Sequence, residues 1–233
     1  MIFPSLDRVK AIAPGYDIVP VYMEILSDVR TPISVLKALK QVSSHTYLLE
    51  SADNSNHWGR YSFLGYDPKI ELFCKNHKMT IKDGTTRTFE CSDPAAEIRN
   101  ILSQYKSPRL EELPTFTGGF VGYFACEYIR YIESTLDFPT PDDDSAMVND
   151  VDLMLFDKVI AFDHYKNKIY LIANISTNDL ERNYNKAELE LKALADLVVN
   201  GKEADIPKGI LKTEFTSEFT KDEFEAVVKK TQH

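Results

Sequence analysis

Residues 70–89 carry the pattern that most constrains the fold. Ile70 to Lys75 and Met79 to Lys82 alternate apolar and polar side chains, and Asp83-Gly84 then leads into Thr85-Thr86-Arg87-Thr88-Phe89. A period of two sends successive side chains to opposite faces of a sheet, and Asp-Gly tolerates the positive φ of a tight reversal, so these runs are antiparallel neighbours. Upstream, Tyr47-Leu48-Leu49 and Arg60-Tyr61-Ser62-Phe63-Leu64-Gly65 are strand-like on either side of a polar loop, which extends the meander. Downstream, residues 116–123 and 153–162 read as buried strands, the second forming a hairpin with Ile169 to Ile175 across Tyr165-Lys166-Asn167.

Helices are marked between these strands. Thr31-Pro32 and Asp93-Pro94 each pair a side chain that can cap an N-terminus with a proline whose φ is already helical. Ile33, Leu36, Leu39 and Val42 form the expected apolar face of the first, and Ile98, Ile101, Leu102 and Tyr105 that of the second. Leu180, Tyr184, Ala187, Leu191, Leu194 and Val198 recur every three or four residues, as in a long amphipathic helix. Thr220-Lys221-Asp222-Glu223 is a capping box, with Phe219 and Phe224 placed as its hydrophobic staple. This last helix has no stop signal before His233, which leads to the expectation of an amino-terminal part of a longer protein, with a short terminal helix that frays as the alternative. The fold class expected is α/β in the α+β sense, mainly antiparallel, since runs of hairpins replace a regular strand-helix alternation.

Composition limits the function. A chain of 233 residues with 43% hydrophobic content, 13 Phe, 12 Tyr and only 9 Gly has ample core material for a globular fold. Its formal charge is −9, without a gathering of basic residues, which argues against nucleic acid and anionic membrane as partners. Cys74, Cys91 and Cys126 are widely spaced with no CxxC pair and read as reduced side chains. The first 22 residues include Asp7, Arg8, Lys10, Pro14 and Asp17 where a signal peptide would need an apolar core. No apolar run approaches the ~20 residues of a membrane span, so the cytoplasm is the expected compartment.

Most candidate chemistry has a plainer explanation. His45, His57, His77, His164 and His233 accompany no GxSxG serine or flanked cysteine, and read as surface or strand-end residues. Asp142, Asp143 and Asp144 lack the alternating spacing of a calcium loop and read as a solvated acidic turn. Gly118, Gly119 and Gly122 lack phosphate-loop spacing and read as close backbone packing in a sheet. Leu49-Glu50-Ser51-Ala52-Asp53 differs, because a carboxylate and a hydroxyl stand together where an apolar strand enters a loop. That junction can offer a carboxylate to an ammonium group and a hydroxyl to a carboxylate; it can equally be an acidic loop start.

Taken in order, Val19-Pro20-Val21-Tyr22, Ser27-Asp28-Val29-Arg30-Thr31-Pro32, Leu48-Leu49-Glu50-Ser51, Gly59-Arg60-Tyr61-Ser62-Phe63-Leu64-Gly65 and Phe116-Thr117-Gly118-Gly119-Phe120-Val121-Gly122-Tyr123 resemble the amino-terminal half of the anthranilate synthase component I family. Residues 137–141, Leu155-Phe156-Asp157 and Phe162-Asp163-His164 are similar to the same family, and the capping box resembles the start of its chorismate-binding half.

The resemblance implies two orthogonally packed sheets flanked by helices, with residues 1–212 as an amino-terminal region and 213–233 as the truncated start of the chorismate-binding region. It implies an enzyme that converts chorismate and ammonia, or glutamine through an amidotransferase subunit (component II), to anthranilate and pyruvate with Mg²⁺ in tryptophan biosynthesis. The family's catalytic residues and Mg²⁺ ligands lie in its carboxy-terminal half, so no catalytic or metal residue is assigned here and the chain alone is expected to be inactive. Its amino-terminal half supplies part of the tryptophan feedback site, which matches Leu49, Glu50 and Ser51, with Arg60 at a basic position lining or ordering the pocket. The alternatives are aminodeoxychorismate synthase component I, of similar fold and substrate, and an amino-acid-binding module without catalysis.

Overall fold

The structure is a computed structural model and describes residues 1–28, 30–51, 59–133, 135, 148–205, 207, 209–214 and 216–232. The chain opens with α1 (Leu6–Ile12), β1 (Ile18–Leu26), α2 (Pro32–Leu39), β2 (Thr46–Glu50) and β3 (Tyr61–Tyr66). Next come β4 (Ile70–Lys75), β5 (Lys78–Lys82), β6 (Thr86–Glu90), α3 (Pro94–Leu102) and β7 (Gly119–Phe124). After a 3₁₀ turn over Cys126–Tyr131 follow β8 (Val151–Phe156), β9 (Lys158–Asp163), β10 (Lys168–Ser176), α4 (Leu180–Asn200) and α5 (Lys221–Thr231).

Among the described residues ten strands form two five-stranded sheets, in the orders β1-β10-β9-β3-β2 and β6-β5-β4-β8-β7, and every pairing is antiparallel. The expected α+β class with mainly antiparallel strands is therefore what the chain adopts. Two details differ from the sequence reading, and both arise where the chain passes between sheets. The meander is divided, because β3 lies in the first sheet and β4 in the second. Asp67 takes a positive φ of 53° and Pro68 has no N–H to donate, so strand pairing lapses there. The run 153–162 is likewise two strands, β8 and β9, separated by Asp157. The two passages lie side by side: Lys69 N–H donates to the Leu155 carbonyl at 2.8 Å, and Lys158 Nζ reaches Asp67 at 3.3 Å.

Helices α1, α2 and α4 cover one face of the first sheet, where Val9, Val35, Leu39, Tyr184, Leu191, Leu194 and Val198 meet Val19, Val21, Leu64, Ile160, Phe162 and Leu171. Five of the six periodic residues of α4 are buried, as their spacing requires. In α2 the buried residues are Val35, Ala38 and Leu39, whereas Ile33 is exposed and Val42 falls beyond the helix end. The opposite face of this sheet packs Tyr22, Val159, Ala161, Tyr170 and Ile172 against Leu110 and Leu113 of a loop. Helix α3 covers the second sheet through Ile98 and Ile101, but its Leu102 is exposed.

Strand β7 is an edge strand, with Tyr123 and Phe124 exposed, rather than the buried strand the sequence predicts. Gly122, and Gly118 just before the strand, match the reading of close packing, whereas Gly119 has only ordinary contact around it. A Cβ on Gly122 would stand 1.9 Å from the Asp152 carbonyl oxygen of β8, closer than atoms can approach. On the first sheet, Gly65 faces Tyr47, whose ring packs edge-on to Phe156 at 4.7 Å and ties β2 to β8 across the two sheets. Helix α5 has both hydrogen bonds of its capping box and no buried residue. Among the described residues no helix is long and apolar enough to cross a membrane, and the acidic turn at residues 142–144 lies outside them.

Gly122→Ala is expected to destabilise the chain by about 1–3 kcal/mol, because a backbone oxygen cannot swing away as a side chain can. Denaturant unfolding of the variant measures it, and an unchanged midpoint contradicts this account.

Candidate functional site

The Leu-Glu-Ser segment sits at the end of β2, an edge strand paired to β3 in the register Leu48↔Leu64, Leu49↔Phe63 and Glu50↔Ser62. Alternation places Leu48, Glu50, Ser62 and Leu64 on the helix-covered face and Leu49 on the other. Leu48 packs against the core on that face, while Glu50 lies beyond the helices and is exposed. Leu49 and Ser51 are exposed as well. Among the described residues the site is an open ledge at a sheet corner, with backing from below.

The backing comes from β3 and β9. Ser62 is 1% exposed, and its Oγ lies 3.3 Å from Glu50 Oε1 and 2.7 Å from His164 Nε2. His164 follows the last residue of β9, and its backbone N–H donates to the Arg60 carbonyl at 2.9 Å, which carries the β3–β9 ladder one step further. Its ring stacks beside Phe162, with centroids 6.4 Å apart and planes 23° from parallel.

Asp163 is the electrostatic centre of this corner. Its side chain has no exposed surface, and Arg60 meets it with two hydrogen bonds, Nε to Oδ1 at 3.1 Å and Nη2 to Oδ2 at 2.7 Å. Backbone N–H groups of Tyr165 and Lys166 also donate to Oδ1, at 3.1 and 3.0 Å, and tighten the β9–β10 turn. Burial alone would raise the pKa of this carboxyl, but Arg60 and the two N–H groups outweigh it and bring the pKa below the ordinary value. In turn Asp163 raises the pKa of the Arg60 guanidinium, which also lies over the Tyr61 ring at 4.8 Å.

Leu49, Glu50 and Ser51 stand at the end of β2 and Arg60 just before β3, but the register places the Arg60–Asp163 pair and Leu49 on the face opposite that of Glu50, Ser62 and His164. Arg60 spends its guanidinium on Asp163, so its part is to order the corner. Ser62 and Asp163 fall inside sequence motifs that give them no role, and His164 is the exposed strand-end residue the sequence predicts. The available signals were a serine among strand apolars and an aspartate ending an otherwise apolar strand, both of which need partners when buried. Among the described residues no group of three or more His, Cys, Asp or Glu could hold a metal ion.

Comparison with known proteins defines the class. The family described as chorismate binding enzyme matches residues 45–233, and the chain belongs to that family. Within it the similarity is to component 1 of anthranilate synthase. The protein of that name from Acetivibrio thermocellus is 36% identical over 197 residues, covering 83% of this chain and 39% of the relative. The Aquifex aeolicus protein is 32% identical over 239 residues, covering 98% and 47%. The crystal structure of anthranilate synthase component I from Streptococcus pneumoniae TIGR4 superposes with a TM-score of 0.50 at 25% identity, covering 89% of this chain and 44% of that one. The chain spans less than half the length of these relatives.

Removing the guanidinium from Arg60 leaves a buried carboxylate unpaired. Such a loss ordinarily costs about 3–5 kcal/mol, and the partial exposure of Arg60 reduces this, so Arg60→Ala should cost about 2–3 kcal/mol at neutral pH. A carboxyl with a depressed folded pKa stabilises above its unfolded value of about 3.9, and that contribution fades as pH falls through the folded value. The gap between wild type and variant should therefore narrow toward acid pH in denaturant titrations. A gap independent of pH contradicts the assignment.

Proposed function

We propose that this chain is the amino-terminal region of anthranilate synthase component I, and that the corner at Glu50 is part of a feedback site for tryptophan. The observation that carries the reading is the Leu49-Glu50-Ser51 motif at an open strand end, with the Glu50 carboxylate exposed but backed by the hydroxyl of Ser62. A carboxylate so placed can accept hydrogen bonds from an α-ammonium group. Ser51 can supply part of the remaining polar contact, and Arg60 orders the pocket through Asp163. Leu49 belongs to the motif, with its side chain on the opposite face of β2.

In this reading the complete enzyme converts chorismate and ammonia to anthranilate and pyruvate, and a glutamine amidotransferase subunit delivers the ammonia. Residues 1–212 form the regulatory and structural region, and 213–233 open the chorismate-binding half that carries the acid and base groups. Mg²⁺ would be held there, beyond these residues. The relatives' greater length supports a second half. So do the exposed Tyr123 and Phe124 of β7 and Phe224, Val227 and Val228 of α5, apolar surface of the kind another part of a protein covers. The relatives' names favour anthranilate over aminodeoxychorismate as the product, and the enzyme would work in the cytoplasm.

Two outcomes follow. The 233-residue chain alone should make no anthranilate from chorismate, ammonium and Mg²⁺, as read by product fluorescence; turnover by a clean preparation contradicts the division of labour. A charge-assisted hydrogen bond contributes about 1.5–3 kcal/mol, so Glu50→Gln or Ser51→Ala in the full-length enzyme should raise the tryptophan concentration for half inhibition about tenfold or more. Inhibition curves with unchanged midpoints for both variants would remove the feedback assignment.

A further inference from the structure

Ser62 is a hydroxyl buried within an apolar strand, and a group of this kind has to be hydrogen-bonded. It lies within reach of two partners, His164 Nε2 at 2.7 Å and Glu50 Oε1 at 3.3 Å. A hydroxyl has one proton to give, and an ionised carboxylate can only accept. Were Ser62 to donate to His164, two acceptor oxygens would face each other at the Glu50 contact. Donation to Glu50 instead leaves Ser62 Oγ free to accept from Nε2. The assignment that satisfies both contacts runs from His164 Nε2–H to Ser62 Oγ, and from Ser62 Oγ–H to Glu50 Oε1. It is the same whether the imidazole carries one proton or two, since Nε2 bears one in either case.

We propose that Ser62 and His164 are positioning residues, which hold the Glu50 carboxylate in one orientation ready for the ammonium group of an amino-acid ligand. This rests on the reading of Glu50 as the ammonium acceptor. Neither residue needs to touch the ligand. An exposed glutamate at a strand end samples several rotamers, and a ligand that binds it has to bear the cost of fixing one. Here part of that cost is met beforehand: the backbone of His164 is held by its N–H bond to the Arg60 carbonyl, and its ring, though exposed, stacks beside that of Phe162. Bonds that run in one direction also polarise each other, so His164 strengthens the hold of Ser62 on Glu50.

The tautomer is the direct readout. In the 233-residue chain with ¹⁵N-labelled histidine, at a pH where the ring is neutral, His164 is expected to carry its proton on Nε2. A proton on Nδ1 instead overturns the proposal. In the full-length enzyme, Ser62→Ala and His164→Leu should raise the tryptophan midpoint about three- to tenfold, while His164→Gln, whose amide N–H can stand in for Nε2–H, stays within about twofold of wild type. A raised midpoint for Glu50→Gln with none for Ser62→Ala and His164→Leu refutes the relay alone. No rise for Glu50→Gln refutes the relay and the ammonium site together. If the substituted proteins do not fold, the tautomer in the unaltered chain decides.

Discussion

A carboxylate with no exposed surface, Asp163, fixes the strand ends at the candidate corner. Its charge has to be met inside the protein, and Arg60 meets it with two hydrogen bonds from the strand next door. That pair locks the start of β3 to the end of β9. The residues of the other face are neighbours along the same strands: His164 follows Asp163 directly, Ser62 lies two residues beyond Arg60, and Ser62 donates to Glu50. A buried ion pair adds little net stability over apolar packing, but breaking one is costly, and this makes it suited to fixing register. At a sheet edge, a slip of one residue would turn Glu50 to the opposite face.

The same strands are held at their far ends by the double passage between sheets. Asp67 to Lys69 takes the chain from β3 to β4, and Asp157 takes it from β8 to β9, so each sheet receives one strand from each passage. The Asp67–Lys158 ion pair and the Lys69 N–H bond to Leu155 join the passages, and Tyr47 against Phe156 fills the angle between sheets. Strands β3 and β9 are therefore pinned at both ends, by packing and polar contacts at one and by Arg60 and Asp163 at the other. The ledge gains its rigidity from that arrangement, although Glu50 itself is exposed. Rigid backing under an open face suits a site whose opposite wall comes from another part of the protein.

Local rules made much of this legible in the sequence. Thr31-Pro32, Asp93-Pro94 and the Thr220 capping box start helices as their side-chain chemistry dictates, and the spacing of α4 marks its buried face. The Asp83-Gly84 reversal and the β9–β10 hairpin follow from turn residues. What local pattern could not show was the division between sheets. An apolar run through Asp157 looks the same whether it continues in one sheet or changes to another, because burial on both sides removes the alternation. The edge position of β7 was hidden for the same reason, since Phe120 and Val121 look buried until the neighbouring strands are known. At the site, Glu50 and Ser51 were visible as polar residues at a strand end. The hydrogen bond of Glu50 to Ser62, and of Ser62 to His164, was not, because those partners come from 12 residues and about half a chain away and meet only through the β2–β3–β9 register.

The central claim is that Glu50, held from behind, is where an amino acid's ammonium group is received. A crystal structure of the full-length protein grown with tryptophan tests it most directly. The account predicts the tryptophan nitrogen within about 3 Å of the Glu50 carboxylate, with Ser62 and His164 still in line behind it. Tryptophan bound elsewhere, or bound at this corner with Glu50 turned away from its nitrogen, would contradict it.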